Sequence, residues 1–307
     1  GVRLFSVDSA DRATLDAPHL LREGIMSIRA ALTLLSDIAD SLALTDLAGL
    51  QLADAASVAT MHHPPLNPDV PALLVNPADL SALQRVLLNQ YPPEHTLQLV
   101  LRDGQGPLAA QPVALSALGT QNAEGAVAVL VPALPVAGSM ERFQETIAHL
   151  RAPEGCPWDR KQTHQSLRPY LLEETYEVLD ALDSGDAEAL REELGDLLLQ
   201  IVLHSQIAVD NGEFRMPDVI AGINSKIIHR HPHVWGEVKV SGDEDVKVNW
   251  DKIKQAEKNH EGTSRLQGVP KSLPALGQSF SYQDRAARVG FDWATIDPVL
   301  DKLREEM

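Results

Sequence analysis

The sequence predicts an α+β chain in two parts: an N-terminal α/β region over residues 1–138 and an all-α C-terminal region over residues 139–307. Three observations carry this expectation. Short apolar runs alternate with helical patterns before Gly138, whereas long helical periodicities with short breaks follow it. Lysine is absent until Lys161, so the two parts also differ in charge chemistry. The stretch from Gly119 to Met140 is poor in charge and holds Pro132, Pro135 and Gly138, the pattern of a strand followed by a linker.

In the first part, Pro71–Asn76 reads as a short buried strand. Asp79 is placed to cap a helix carrying Leu80, Leu83, Val86 and Leu87 at helical spacing. Thr96–Leu101 reads as the next strand and Ala126–Val131 as a later one, a β-α-β order that suggests an α/β layer. In the second part, Thr163 or Ser166 can cap a helix that tolerates Pro169 in its first turn and runs to Asp183. Ser184-Gly185-Asp186 breaks it, and Asp186 caps a second helix ending at Asn211-Gly212. So short a turn makes the two helices antiparallel neighbours. The tail from Asp297 restarts a helix and stops abruptly at Met307, as a fragment would.

Composition narrows the function classes. With 43 acidic and 26 basic side chains the net charge is −17, which argues against binding a nucleic-acid polymer through its backbone. No run of about 18 apolar residues is present, so no membrane span is expected. No basic segment followed by an apolar one opens the chain, and the lone Cys156 fits a reducing compartment, so a cytoplasmic location is expected.

The helical hairpin carries the chemistry. Glu174 and Glu177 share one helix face, as do Glu193 and Asp196 on the second helix. Reflection about Gly185 pairs Glu177 with Glu193 and Glu174 with Asp196, roughly 12–16 Å from the turn at about 1.5 Å per residue. Four such carboxylates repel one another unless a cation sits among them. Asp196 lies in the apolar run Leu194–Leu199, which suggests burial, and Gly195 leaves room for close approach of another backbone or a ligand. An all-oxygen donor set suits Mg²⁺, with Mn²⁺ second, rather than zinc. The bland alternative is a solvated acidic face.

Cations for an anionic ligand are also present. Lys226 and Arg230 are four apart on an expected helix, and Lys254 and Lys258 repeat that spacing behind Trp250. Arg191, beside the acids, is a further phosphate candidate, and Trp158 reads as core or as support for the site. His229, His231 and His233 are interrupted by Pro232 and make a poor zinc set.

Several blocks in order resemble one family. Glu173-Glu174-Thr175-Tyr176-Glu177 and Glu193-Leu194-Gly195-Asp196 are similar to the EExxE and ExxD motifs of the MazG nucleoside triphosphate pyrophosphohydrolases. Gly155-Cys156-Pro157-Trp158-Asp159, Gln162-Thr163-His164, the segment from Lys226 to His233 and Asn249-Trp250 match as well, so the resemblance covers about Met140 to Trp293. It implies Mg²⁺-dependent hydrolysis of nucleoside triphosphates to a monophosphate and pyrophosphate. The metal would be held by Glu174, Glu177, Glu193 and Asp196. Lys226, Arg230 and Trp250 would meet the triphosphate and nucleoside. Glu173 or a ligand carboxylate would be the general base.

Residues 49–101, through Gly49-Leu50-Gln51-Leu52, the segment Met61–Pro68 and Asn89-Gln90-Tyr91-Pro92, resemble the later half of a tetrapyrrole-methylase-like domain. The glycine-rich loop that such a domain needs for S-adenosylmethionine is missing, which disfavours methyl transfer. A non-catalytic helical oligomerisation or binding protein is the competing reading. A two-helix hairpin exposes much apolar surface, so a homodimer that buries it is expected.

Overall fold

The computed structural model describes residues 2–4, 36–39, 49–104, 106–257, 266, 268–288 and 290–307. It contains two compact units, Gly1–Met216 and Pro217–Met307, each described here by itself.

The first unit opens with a six-stranded mixed sheet. Its strands are β1 (Val2–Leu4), β2 (Leu50–Asp54), β3 (Ala72–Val75), β4 (Thr96–Arg102), β5 (Leu108–Ala114) and β6 (Ala126–Val131), in the order β1-β2-β3-β6-β4-β5. Neighbours β1, β2 and β3 are parallel, while β6 pairs antiparallel with both β3 and β4, and β4 with β5. The expected α/β layer is therefore only half of the sheet. β5 was not anticipated: Pro112 cannot donate to a ladder and weakens the strand pattern, but an edge strand tolerates it.

Two short helices follow β2 and β3, namely α1 (Ala55–Ala59) and α2 (Leu80–Leu87). Asp79 caps α2 by accepting from the Ala82 amide at 2.8 Å, as its position in sequence predicts. Alternation along the strands sends Leu74, Leu97, Leu99, Val129 and Val131 to the face covered by Leu80, Leu83, Val86 and Leu87. The opposite face buries Leu52, Leu73, Val100, Ala128 and Leu130 with Ile38.

From Ser139 to the end of this unit every regular element is helical: α3 (Met140–Arg151), a 3-10 turn at Asp159–Lys161, α4 (Arg168–Ser184) and α5 (Ala187–Asn211). Asp69 ties the start of α3 to the sheet region, accepting from the Gly138 amide at 2.7 Å and the Ser139 hydroxyl at 2.5 Å. A small core of Ile147, Leu167, Val202, Leu203, Ile207 and Met216 packs α3 against α5.

Capping of the hairpin follows the sequence at three of its four ends. Asp186 accepts from the amides of Glu188 and Ala189, Gly185 takes φ +70° at the end of α4, and Gly212 takes φ +73° at the end of α5. The start of α4 differs: its cap position is Leu167, with no side-chain cap bond. Thr163 and Ser166 instead cap each other's amides, at 2.9 and 3.1 Å, one turn earlier.

The second unit holds most of α6 (Met216–Arg230), a short α7 (Pro232–Trp235), α8 (Asp243–Glu257), α9 (Ala275–Ala287) and α10 (Ile296–Glu306). Among the described residues no helix is long and apolar enough to cross a membrane.

Candidate metal centre

The antiparallel pairing of α4 and α5 brings carboxylates from both helices together. One oxygen each from Glu174, Glu177 and Glu193 lies within 4.8 Å of the others. Glu174 and Glu193 are partly buried and Glu177 is exposed. Burial pushes the Glu174 carboxyl above its ordinary range, helped by the Asp196 charge and by a hydrogen bond and charge from Glu177. Glu193 is pushed in the same direction by desolvation and by the charges of Glu177, Glu192 and Asp196. Such mutual repulsion is what a bound cation relieves. The donor set is all oxygen, hard and partly sheltered, which fits a Mg²⁺-type cation.

Asp196 stands apart from the expectation. It is exposed, not buried, and lies outside the three-oxygen group, although its charge reaches Glu174 and Glu193. The apolar run around it misled because Leu194 is itself 49% exposed. Gly195 has open space where a Cβ would project, so nothing among the described residues approaches it closely there. Glu173 is exposed on α4 and also lies outside the group. Arg191 is exposed and pairs with Glu188 at 2.6 Å, an exchangeable surface contact. Trp158 is 51% exposed against the edge of Tyr170, so it is not a core residue.

A loop leads into the hairpin and is firmly held. Arg151 donates from Nε to Asp210 at 2.7 Å and from Nη1 to the carbonyls of Asp159 and Gln162. A Cβ on Gly155 would sit 2.2 Å from the His149 carbonyl oxygen, so only glycine fits there. Two histidines 40 positions apart, His164 and His204, meet at 2.8 Å. That pairing had no local signal in the sequence.

In the second unit, Lys226 is exposed on α6, and Arg230 one turn later is nearly covered. The Arg230 guanidinium lies 5.2 Å from the Trp250 ring centroid and grips Glu257 through Nη2 at 2.5 Å and Nε at 3.2 Å. Arg230, with His229 and Lys226 adding their charges, holds the Glu257 carboxyl below its ordinary range. His231 meets the Trp250 ring edge-on at 4.9 Å. Lys254 lies one turn after Trp250 on α8, while Lys258 falls outside the described residues. Trp250 also belongs to an Arg230–Trp250–Glu257 cluster that spans two helices. Glu257 was not among the residues anticipated, and His231 was considered only as part of a poor zinc set.

Part of the chain is similar to known proteins. Residues 162–235 match the family model described as the MazG nucleotide pyrophosphohydrolase domain. The chain is 45% identical over 168 residues to the nucleoside triphosphate pyrophosphohydrolase/pyrophosphatase MazG of Thermotoga maritima, covering 54% of this chain and 64% of that protein. It is 45% identical over 170 residues to the nucleoside triphosphate pyrophosphohydrolase of Escherichia coli, covering 55% and 65% respectively. It is 53% identical over 141 residues to the uncharacterized protein YabN of Bacillus subtilis, covering 46% of this chain and 29% of YabN. The chain spans less than two thirds of the length of each of these relatives. Three of the four acids anticipated on the hairpin meet inside residues 162–235, the segment that matches the MazG domain model.

Proposed function

We propose that this chain hydrolyses nucleoside triphosphates to a nucleoside monophosphate and pyrophosphate with Mg²⁺ held on the α4–α5 hairpin. The observation that carries the reading is the convergence of Glu174, Glu177 and Glu193 within 4.8 Å. These three would hold Mg²⁺, or Mn²⁺, with Asp196 completing the set from its exposed position. When bound, the cation neutralises phosphate charge and lowers the pKa of a coordinated water.

The chain's own residues do the rest. Lys226, Arg230 and Lys254 would supply the positive charge that a triphosphate needs, with Arg191 and Lys258 as further candidate cations. Trp250 offers a ring face or edge for the nucleoside. Glu173, beside the cluster and exposed, is free to take a proton to solvent, and a ligand carboxylate is the other candidate base.

The wider reading follows from the same features. α4 buries only Ala181, leaving Leu172, Tyr176, Leu179 and Leu182 about half exposed, a face suited to a homodimer. Residues 1–138 are taken as a partial tetrapyrrole-methylase-like region and 139–307 as the pyrophosphohydrolase domain. The change from strands to helices after β6 supports that division. A cytoplasmic enzyme that binds neither membranes nor nucleic-acid polymers fits the charge and the single cysteine.

The test is pyrophosphate release from a panel of ribo- and deoxyribonucleoside triphosphates, with Mg²⁺ or EDTA, on wild type and Glu177→Ala. Metal-dependent release lost in the variant supports the proposal. No release by folded protein sinks it in favour of a helical scaffold.

A further inference from the structure

Gln200 is buried where the chain had no structural need of an amide. It is 5% exposed on α5, amid Leu197, Leu198, Leu199 and Ile201. Its Nε2 donates to Glu174 Oε1 at 3.4 Å, and its Oε1 is buried without a partner among the described residues. A buried amide with one end unsatisfied is unfavourable relative to an apolar side chain of the same size. A leucine here would continue the surrounding run and leave no orphan.

Position explains the amide. Gln200 lies seven residues after Glu193 and four after Asp196, so the three share one face of α5. That face looks across the hairpin to Glu174. Of the three clustered carboxylates, Glu174 alone is gripped by this amide, and it comes from the helix opposite. One of its oxygens is fixed by Nε2 while the rotamer of Gln200 is fixed by burial. A carboxylate held in this way keeps its orientation when the cation leaves, which is the work of the hydrogen-bonded shell around metal ligands.

We propose that Gln200 is a positioning residue of the cation site, aligning Glu174 with Glu177 and Glu193 from the second helix. This rests on the reading of those carboxylates as a cation site, and the experiment separates the two.

Mn²⁺ affinity is measured without nucleotide, from the electron paramagnetic resonance signal of free Mn²⁺, on wild type, Glu177→Ala and Gln200→Leu. Gln200→Leu is expected to bind Mn²⁺ about 10- to 100-fold more weakly. Its melting temperature should match or exceed that of wild type, because the orphan oxygen is gone. A purely structural glutamine would show the opposite split, lower stability with unchanged affinity. Wild-type affinity in Gln200→Leu, with binding lost in Glu177→Ala, would overturn the role of Gln200 alone. No Mn²⁺ binding by wild type would overturn the cation site itself. Should Gln200→Leu not fold, Gln200→Met removes the amide with a flexible chain of similar length and carries the same reading. Failure of both to fold would assign Gln200 to folding and overturn the proposal.

Discussion

Nδ1 of His164 lies 2.8 Å from Nδ1 of His204, with ring planes 7° apart and centroids 5.1 Å apart. That centroid separation is close to the nitrogen–nitrogen distance plus two ring radii. The rings therefore meet edge to edge in one plane, as a straight N–H···N bond requires, rather than stacking face to face. His164 Nε2 sits 3.2 Å from Glu213, so it is assigned as the proton donor there. His164 Nδ1 then accepts from His204 Nδ1, and His204 Nε2 keeps a bare lone pair, buried and without a partner among the described residues.

Acid should loosen this link. Burial, with the nearby His164, holds the His204 pKa below its ordinary value. Below about pH 6.5 the unfolded chain then binds more protons than the folded one, so stability is full above that pH and declines beneath it. Denaturant midpoints between pH 8 and pH 5 should fall on the acid side for wild type and fall less for His204→Asn. Parallel curves for the two proteins would refute the assignment.

Adding a cation should stabilise the first unit without any nucleotide. A ligand at one hundred times its dissociation constant adds about 2.7 kcal/mol, which raises the melting temperature of a domain this size by roughly 5–10 °C. Differential scanning fluorimetry with Mn²⁺ should show that rise in wild type and lose it with EDTA or in Glu177→Ala. An equal rise in the variant would mean that the cation binds elsewhere.

Gly155→Ala should unsettle the loop before the hairpin. The new Cβ would meet the His149 and Leu150 carbonyl oxygens at 2.2 and 2.4 Å, which are backbone atoms that cannot swing aside. A loss of about 1–3 kcal/mol is expected in urea denaturation. No measurable loss would mean that the 152–155 turn relaxes freely.

What the sequence made legible is what short-range rules govern. The strands 72–75, 96–102 and 126–131, the Asp79 and Asp186 caps, the Gly212 stop and the i,i+3 pairing of Glu174 with Glu177 all depend on residues a few positions apart. Glu193 joins them because a tight turn makes the hairpin's register arithmetic. Contacts set by long-range packing were not legible: His164 with His204, Arg230 with Glu257, and the antiparallel insertion of β6 between β3 and β4. The expected burial of Asp196 failed for a related reason. Apolar neighbours on a helix imply burial only when something covers them, and Leu194 and Ile201 are left half exposed.

The Arg230 cluster makes a prediction that separates geometry from charge. Arg230 holds both oxygens of Glu257 while lying over Trp250, an arrangement that needs a planar fork. Lysine keeps the charge but offers a single point donor and stacks less well. Under the proposed function, Arg230→Lys should raise KM for the triphosphate by roughly tenfold, equivalent to about 1.4 kcal/mol, with a smaller change in kcat. Pyrophosphate-release kinetics check both parameters. A variant with unchanged KM would show that charge alone suffices at this position and that the planar fork is not needed there.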